Sequence, residues 1–174
     1  MQSALRKLKI RLIRVRRDEN GAALLEFAII AVPFLGLIFG MLEVGLIFWA
    51  GYELDNATLT ASRLIKTGQA QKNNYTQDNM VTQICSHVAI LSDCTSKLQL
   101  KVQSFSNFDC AAHPTQAGCT PASNYNLGGG AQIELVTSSY EWPLFNFTTV
   151  ALLSNLPDGN RLIQSAAVFQ NEPF

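Results

Sequence analysis

Residues 27–51, FAIIAVPFLGLIFGMLEVGLIFWAG, carry one charge, Glu43, in an otherwise apolar run. A membrane-crossing helix needs about 20 apolar residues, and this run exceeds that even with Glu26 and Glu43 taken as its borders. From Tyr52 to about Gln69 the pattern becomes amphipathic. Leu54, Ala57, Ala61, Leu64 and Ile65 recur at helical spacing, with Asp55, Thr58, Ser62 and Lys66 between them. No proline separates the two stretches, so they read as one continuous helix with Gly68 as its stop. The polar run QAQKNNYTQDN (69–79) predicts a loop, and Thr76 caps a second helix over 77–91, with Met80, Ile84, Val88 and Leu91 on one face.

Beyond that the period changes from helix to strand. In KLQLKVQSF (97–105), Leu98, Leu100 and Val102 alternate with Gln99, Lys101 and Gln103. AQIELVTSSYEWPLF (131–145) predicts a second strand, ended by Pro143, and RLIQSAAVFQNEPF (161–174) a third after the DGN turn. Residues 107–130, rich in Gly, Pro, Asn and Ser, predict a loop held by cysteines. The expected fold is α+β: a long N-terminal transmembrane helix continuing into an amphipathic helix, a short second helix, and a small antiparallel sheet.

Charge adds a direction. The net formal charge is +0, yet Arg6, Lys7, Lys9, Arg11, Arg14, Arg16 and Arg17 all precede Gly21, against Asp18 and Glu19. Residues 22–174 then hold six basic against eleven acidic residues, a net of −5. Basic residues stay on the cytoplasmic side of a membrane, so the N-terminus is expected inside and the bulk of the chain outside. Trp49 and Tyr52 suit the outer interface. The expected organisation is a basic leader over 1–21, a transmembrane helix over 22–51 and an exported domain over 52–174. The apolar run is too long for a cleaved secretory signal and has no small-residue cleavage site after it. Leu5, Leu8, Leu12 and Val15 fall near one helical face, as in a transit peptide, but Asp18, Glu19 and the adjoining span argue against that. The leader's charge suits membrane lipid and topology; no nucleic-acid partner is expected beside such a tether.

All four cysteines, Cys85, Cys94, Cys110 and Cys119, lie beyond the span, and an even count in an exported domain favours disulfides. Three pairings are possible. The local ones, Cys85–Cys94 and Cys110–Cys119, are preferred because each closes a short loop. The spacings Cys85/His87 and Cys110/His113 offer metal-ligand types without the framework of a standard zinc site, so no metal and no cofactor is expected. No nucleophile or carboxylate pair has catalytic spacing, and NLGGG (126–130) lacks the context and lysine of a phosphate loop. The chain is not expected to be an enzyme.

Glu26 is the informative residue. A carboxylate in a lipid-facing helix costs roughly 2.5–3.5 kcal/mol on insertion scales, so it needs a partner or a role. A single span makes a poor ion path. A snorkelling side chain is the bland alternative. The third reading uses the spacing. If the chain is cut after Gly21, Ala22 gains an α-amino group and Glu26 becomes the fifth residue. In staggered neighbouring helices one subunit's carboxylate then meets another's amine, which offsets the desolvation of both. Gly36 and Gly40 form a G-x-x-x-G motif that lets helices approach closely, and Pro33 can kink or locally open the helix. Glu43, near the outer end, is expected to face water.

A basic leader, a glycine and an apolar helix with Glu at its fifth position resemble the class III signal of type IV pilins. GAALLEFAIIAVPFLGLIFGMLEVG is similar, more closely, to the TadE-like pseudopilins of the tight-adherence (Flp pilus) system, through Glu26-Phe27-Ala28, Pro33 and Glu43 followed by Gly45. ASRLIKTGQAQ (61–71) is similar to that family's post-membrane helix, and NEPF (171–174) resembles its common C-terminus. The resemblance implies a pilin-like fold and cleavage after Gly21 by a prepilin peptidase, with this chain as substrate. It further implies a minor component in the bacterial inner membrane or the pilus, its N-terminus cytoplasmic and its C-terminal domain periplasmic. The implied partners are sister pseudopilins, the Flp pilin and the inner-membrane assembly platform, and the implied role is adhesion and biofilm formation. Glu-Phe instead of Glu-Tyr after the cut, and a sizeable outer domain, depart from the major Flp pilins and favour a minor pseudopilin. Two alternatives stay open: an unprocessed single-pass anchor whose outer domain binds a partner, and a membrane-tethered metal-binding or enzymatic domain using Cys110, His113 and Cys119.

Overall fold

The computed structural model describes residues 19–119, 121, 123–145 and 147–174. The basic leader up to Asp18 lies outside the described residues, as does Asn146. The chain divides into two units, 1–42 and 43–174.

Helix α1, Glu19–Lys66, runs through both, with Pro33 inside it. In the first unit its apolar side chains are exposed on every side; neighbours such as Leu24 and Leu25, or Ile29 and Ile30, are all uncovered. The second unit has a proper core. Along α1, Glu43, Ile47, Ala50, Leu54, Ala57, Thr58, Ala61, Ser62 and Ile65 are buried, at spacings of three and four that define one helical face. The stripe opens at Glu43, inside the apolar run, well before Tyr52.

Alanines let that face lie close to a three-stranded antiparallel sheet in the order β1 (Gln99–Phe105), β2 (Ile133–Trp142), β3 (Arg161–Gln170). Register places Leu100, Ser138 and Ser165 in one row across the sheet and Val102, Val136 and Ala167 in the next. These residues are buried, and side chains tie the layers together. Ser165 donates to Asp55 Oδ1 at 2.5 Å, and Thr58 and Ser138 share a hydrogen bond of 2.5 Å. The Thr58 hydroxyl proton already goes to the Leu54 carbonyl, so Ser138 is the donor to Thr58. On the opposite face Phe105, Ile133 and Leu135 form a second cluster, covered by the short helix α5 (Phe108–Ala112) and its cysteine.

Several boundaries differ from the sequence expectation. The second helix is α3, Gln77–Cys85, not 77–91. Thr76 caps it, with reciprocal bonds to Asn79. After Cys85 the ladder tightens, with the His87 and Val88 amides bonding the Ile84 and Cys85 carbonyls three residues back, and beyond it the Glu53 carboxylate takes the Ala89 and Ile90 amides at 3.0 and 3.3 Å. Val88 and Leu91 stay buried without a helix. The 69–79 loop contains one helical turn, α2 (Gln69–Lys72), and a further turn, α4 (Cys94–Lys97), precedes β1. The second strand begins only at Ile133, because Ala131 has a positive φ of 64°. Helix α6, Phe147–Leu153, lies between β2 and β3, where the sequence shows no clear period.

Residues 171–174 leave the sheet and close the end of α1. The Glu172 amide donates to the Lys66 carbonyl at 2.9 Å, one of the acceptors a helix end leaves open. Gly68 stops the helix at φ 74°, and a Cβ there would lie 2.6 Å from the Phe174 ring. Asn171, almost fully buried, donates to the Leu127 and Gly129 carbonyls.

Candidate functional site

Sequence reasoning places the working residues at the start of α1. Gly21 and Glu26 are exposed there, and no described residue donates to the Glu26 carboxylate. A helix uncovered and apolar on all sides requires lipid or other helices around it. A Cβ built at Gly21, Gly36 or Gly45 meets no atom of the described residues within 4 Å, so among them no close approach demands glycine at those positions. Gly36 and Gly40 lie one helical turn apart, three residues beyond Pro33.

Glu43, the second acid of the apolar run, has a different fate. It is 6% exposed, not water-facing as expected. The Phe145 amide donates to its Oε1 at 2.7 Å and the Thr149 hydroxyl to its Oε2 at 2.5 Å. The carboxylate therefore pins the segment after Pro143 and the start of α6 onto α1. The sequence does hold one sign of this: Glu43 stands four residues before Ile47 and continues the buried stripe.

The cysteines and histidines separate. Cys85 is bonded to Cys94 and Cys110 to Cys119, with Cα–Cα distances of 5.7 and 4.9 Å. Thiolates are thus not on offer beside His87 and His113. Those rings lie instead against Ser86 and against Asp109, whose carboxylate is 3.6 Å from His113 Nδ1. Among the described residues no group of three or more His, Cys, Asp or Glu is arranged to hold a metal.

A buried carboxyl that the sequence reading missed lies under the glycine-rich loop. Glu134 is fully buried in the row facing α1, and among the described residues its one donor is the Ser104 hydroxyl at 2.6 Å. Burial pushes its pKa up from the ordinary 4.5 to about 7, against the smaller downward pull of Ser104. Gly128, at φ 62°, passes so close that any Cβ would collide with Glu134 Oε1. Tyr125, pushed up to about 12 by burial, donates to the Tyr75 carbonyl and fixes the same loop.

The described residues contain one helix long and apolar enough to cross a membrane, Ala23–Lys66. Residues 21–63 match the model of the TadE-like protein family. The TadE-like match starts at the glycine of the expected cut, and its whole span lies on α1, covering both the exposed apolar part and most of the buried stripe. It does not extend to 171–174. TadE-like proteins are pilus components, and the segment links this chain to that class. No curated protein and no solved structure matches the chain.

Proposed function

We propose that this chain is a TadE-like minor pseudopilin, cut by a prepilin peptidase after Gly21, that helps assemble, prime or anchor Flp pili for surface adhesion and biofilm formation. One observation carries the reading: a TadE-like α1 is apolar and exposed on all sides over residues 23–42, with Glu26 the fifth residue after Gly21. Such a helix suits lipid before assembly and a bundle of sister helices after it. The new Ala22 amine of one subunit partners the Glu26 carboxylate of the next, while Gly36 and Gly40 permit close approach and Pro33 supplies local flexibility. The chain spans the bacterial inner membrane once, with the leader cytoplasmic and residues 52–174 periplasmic. Its partners are the peptidase, sister pseudopilins, the Flp pilin, the assembly platform and membrane lipid; it performs no catalysis itself. The test is the N-terminal sequence of the membrane-extracted protein, with and without the peptidase. A peptidase-dependent start at Ala22 is expected. A start at Met1 in both preparations overturns the reading and leaves an unprocessed anchor.

A further inference from the structure

The sheet has two edges, and the chain treats them differently. β1 is covered: the Val102 amide donates to the Asn124 carbonyl at 2.9 Å, and the Val102 carbonyl accepts from the Asn126 amide at 2.8 Å. β3 is covered only at its ends. At the first, the Asn155 side chain accepts from the Leu162 amide at 2.7 Å and donates to the Leu162 carbonyl at 3.4 Å, imitating a neighbouring strand. Just past the last, the Glu172 amide goes to the Lys66 carbonyl. In an antiparallel sheet alternate residues turn both backbone groups to the same side. Leu162 turns outward, so Gln164, Ala166, Val168 and Gln170 do too, and among the described residues none of their amides and carbonyls meets a partner there.

Exposed strand edges are usually blunted by a charge, a proline or a bulge. Residues 162–170, LIQSAAVFQ, contain no charge and no proline, and their pairing with β2 runs without a bulge. The open edge also has a second wall. Phe48, Tyr52, Leu59, Arg63 and Lys66 are exposed on the stripe of α1 beside its buried one, and they line grooves shared with β3. That wall is apolar at Phe48, Tyr52 and Leu59 and basic at Arg63 and Lys66, and among the described residues no carboxylate pairs with either cation. Asp55, the acid on the same stripe, already accepts from Ser165. All of these residues belong to the second unit.

We propose that the free edge of β3 receives an extended strand of a partner protein, about seven residues long, apolar beside Phe48, Tyr52 and Leu59 and acidic beside Arg63 and Lys66. The partner's backbone completes the hydrogen bonds of residues 164–170 as a fourth strand, and the α1 wall reads its alternate side chains. Only an extended chain offers amides and carbonyls at the spacing of this edge. Charge complementarity selects an acidic strand. The β3 of a second copy fits less well, because its one charged residue, Arg161, is basic.

The test uses the full chain in detergent micelles and two end-blocked synthetic peptides, each alternating valine with threonine and ending either in glutamates or in lysines. Amide hydrogen exchange is read residue by residue. The glutamate peptide is expected to slow exchange at Gln164, Ala166 and Val168 severalfold and to bind severalfold more tightly than the lysine peptide. Ala166→Pro removes an outward amide and none of the β2 ladder, so it is expected to abolish this protection and leave the thermal transition in place. Arg63→Glu combined with Lys66→Glu, at two exposed positions, is expected to reverse the preference between the peptides, and it decides the matter even if the proline variant does not fold. Absence of protection at those three amides with the glutamate peptide overturns the proposal, as does equal binding of the two peptides. Protection of the same amides in the chain alone, rising with its concentration, also overturns it, in favour of a second copy on the edge.

Discussion

Two carboxylates that a residue count treats alike are used in different ways. Glu26 is exposed, and the role proposed for it rests on its distance to Gly21 alone. Glu43 is enclosed by donors about a hundred positions away in the sequence, which is why its environment could not be read there. Glu43→Ala removes the carboxylate that accepts from the Phe145 amide and the Thr149 hydroxyl, at a cost of about 1–3 kcal/mol. Limited proteolysis of the full chain is expected to cut within 143–153 severalfold faster in this variant. Unchanged cutting there would mean that Glu43 does not hold the segment. Glu134 gives a pH dependence of unusual sign. Its folded pKa lies above the unfolded one, so its stabilising effect is complete below about 4.5 and is lost as pH rises through about 7. By linkage the chain should be less stable at pH 8 than at pH 5, on the order of 3 kcal/mol from this group. Glu134→Gln should flatten that part of the profile in urea unfolding, and an unaltered slope would assign the dependence elsewhere.

At the scale of elements, periodicity was a good guide wherever one face is buried against one layer. The continuous α1, its stop at Gly68, the Thr76 cap and the three alternating strands all follow from local pattern. The failures have particular causes. α3 does not continue to 91: its ladder tightens at His87 and Val88, and a side chain from α1 holds the Ala89 and Ile90 amides, a tertiary bond that leaves no local trace. α6 has a face of mixed chemistry, with buried Thr149 beside exposed Leu152, and so shows no clean period. The small residues of α1 are the other element-level lesson. Ala57 and Ala61 are buried against the sheet, so Ala61→Leu should overpack the layer and destabilise by about 1–3 kcal/mol. The same substitution at Ala31, in the first unit, should leave unfolding of the domain unchanged. Equal effects at both positions would contradict the division of the helix.

For the whole molecule, that division makes a prediction about autonomy. Every buried hydrophobic residue from Ile47 onward belongs to the second unit, and both disulfides close within it. A chain starting at Glu43 is therefore expected to fold alone, with no free thiols and one cooperative thermal transition. Free thiols or gradual melting would show that the first part of α1 is needed for folding. Each disulfide closes a short loop and should add about 2–3 kcal/mol in the loop-entropy account, so reduction should lower the transition without changing the topology. Across the chain, the anchor was legible because lipid imposes a composition on sequence. The second unit was legible only as a class of fold, because its contacts join residues that no local pattern relates.

Strand β3 also has a mechanical meaning. β3 and the residues after it follow α1 in the same sense: Ile163 lies 3.8 Å from where a Cβ on Gly51 would stand, Ser165 bonds Asp55, and Glu172, past the strand, bonds Lys66. A load applied along α1 is thus borne in shear by a row of contacts that must slip together, instead of being peeled away one at a time. The second unit, pulled lengthwise along its part of α1, should resist far more force than one pulled across the sheet.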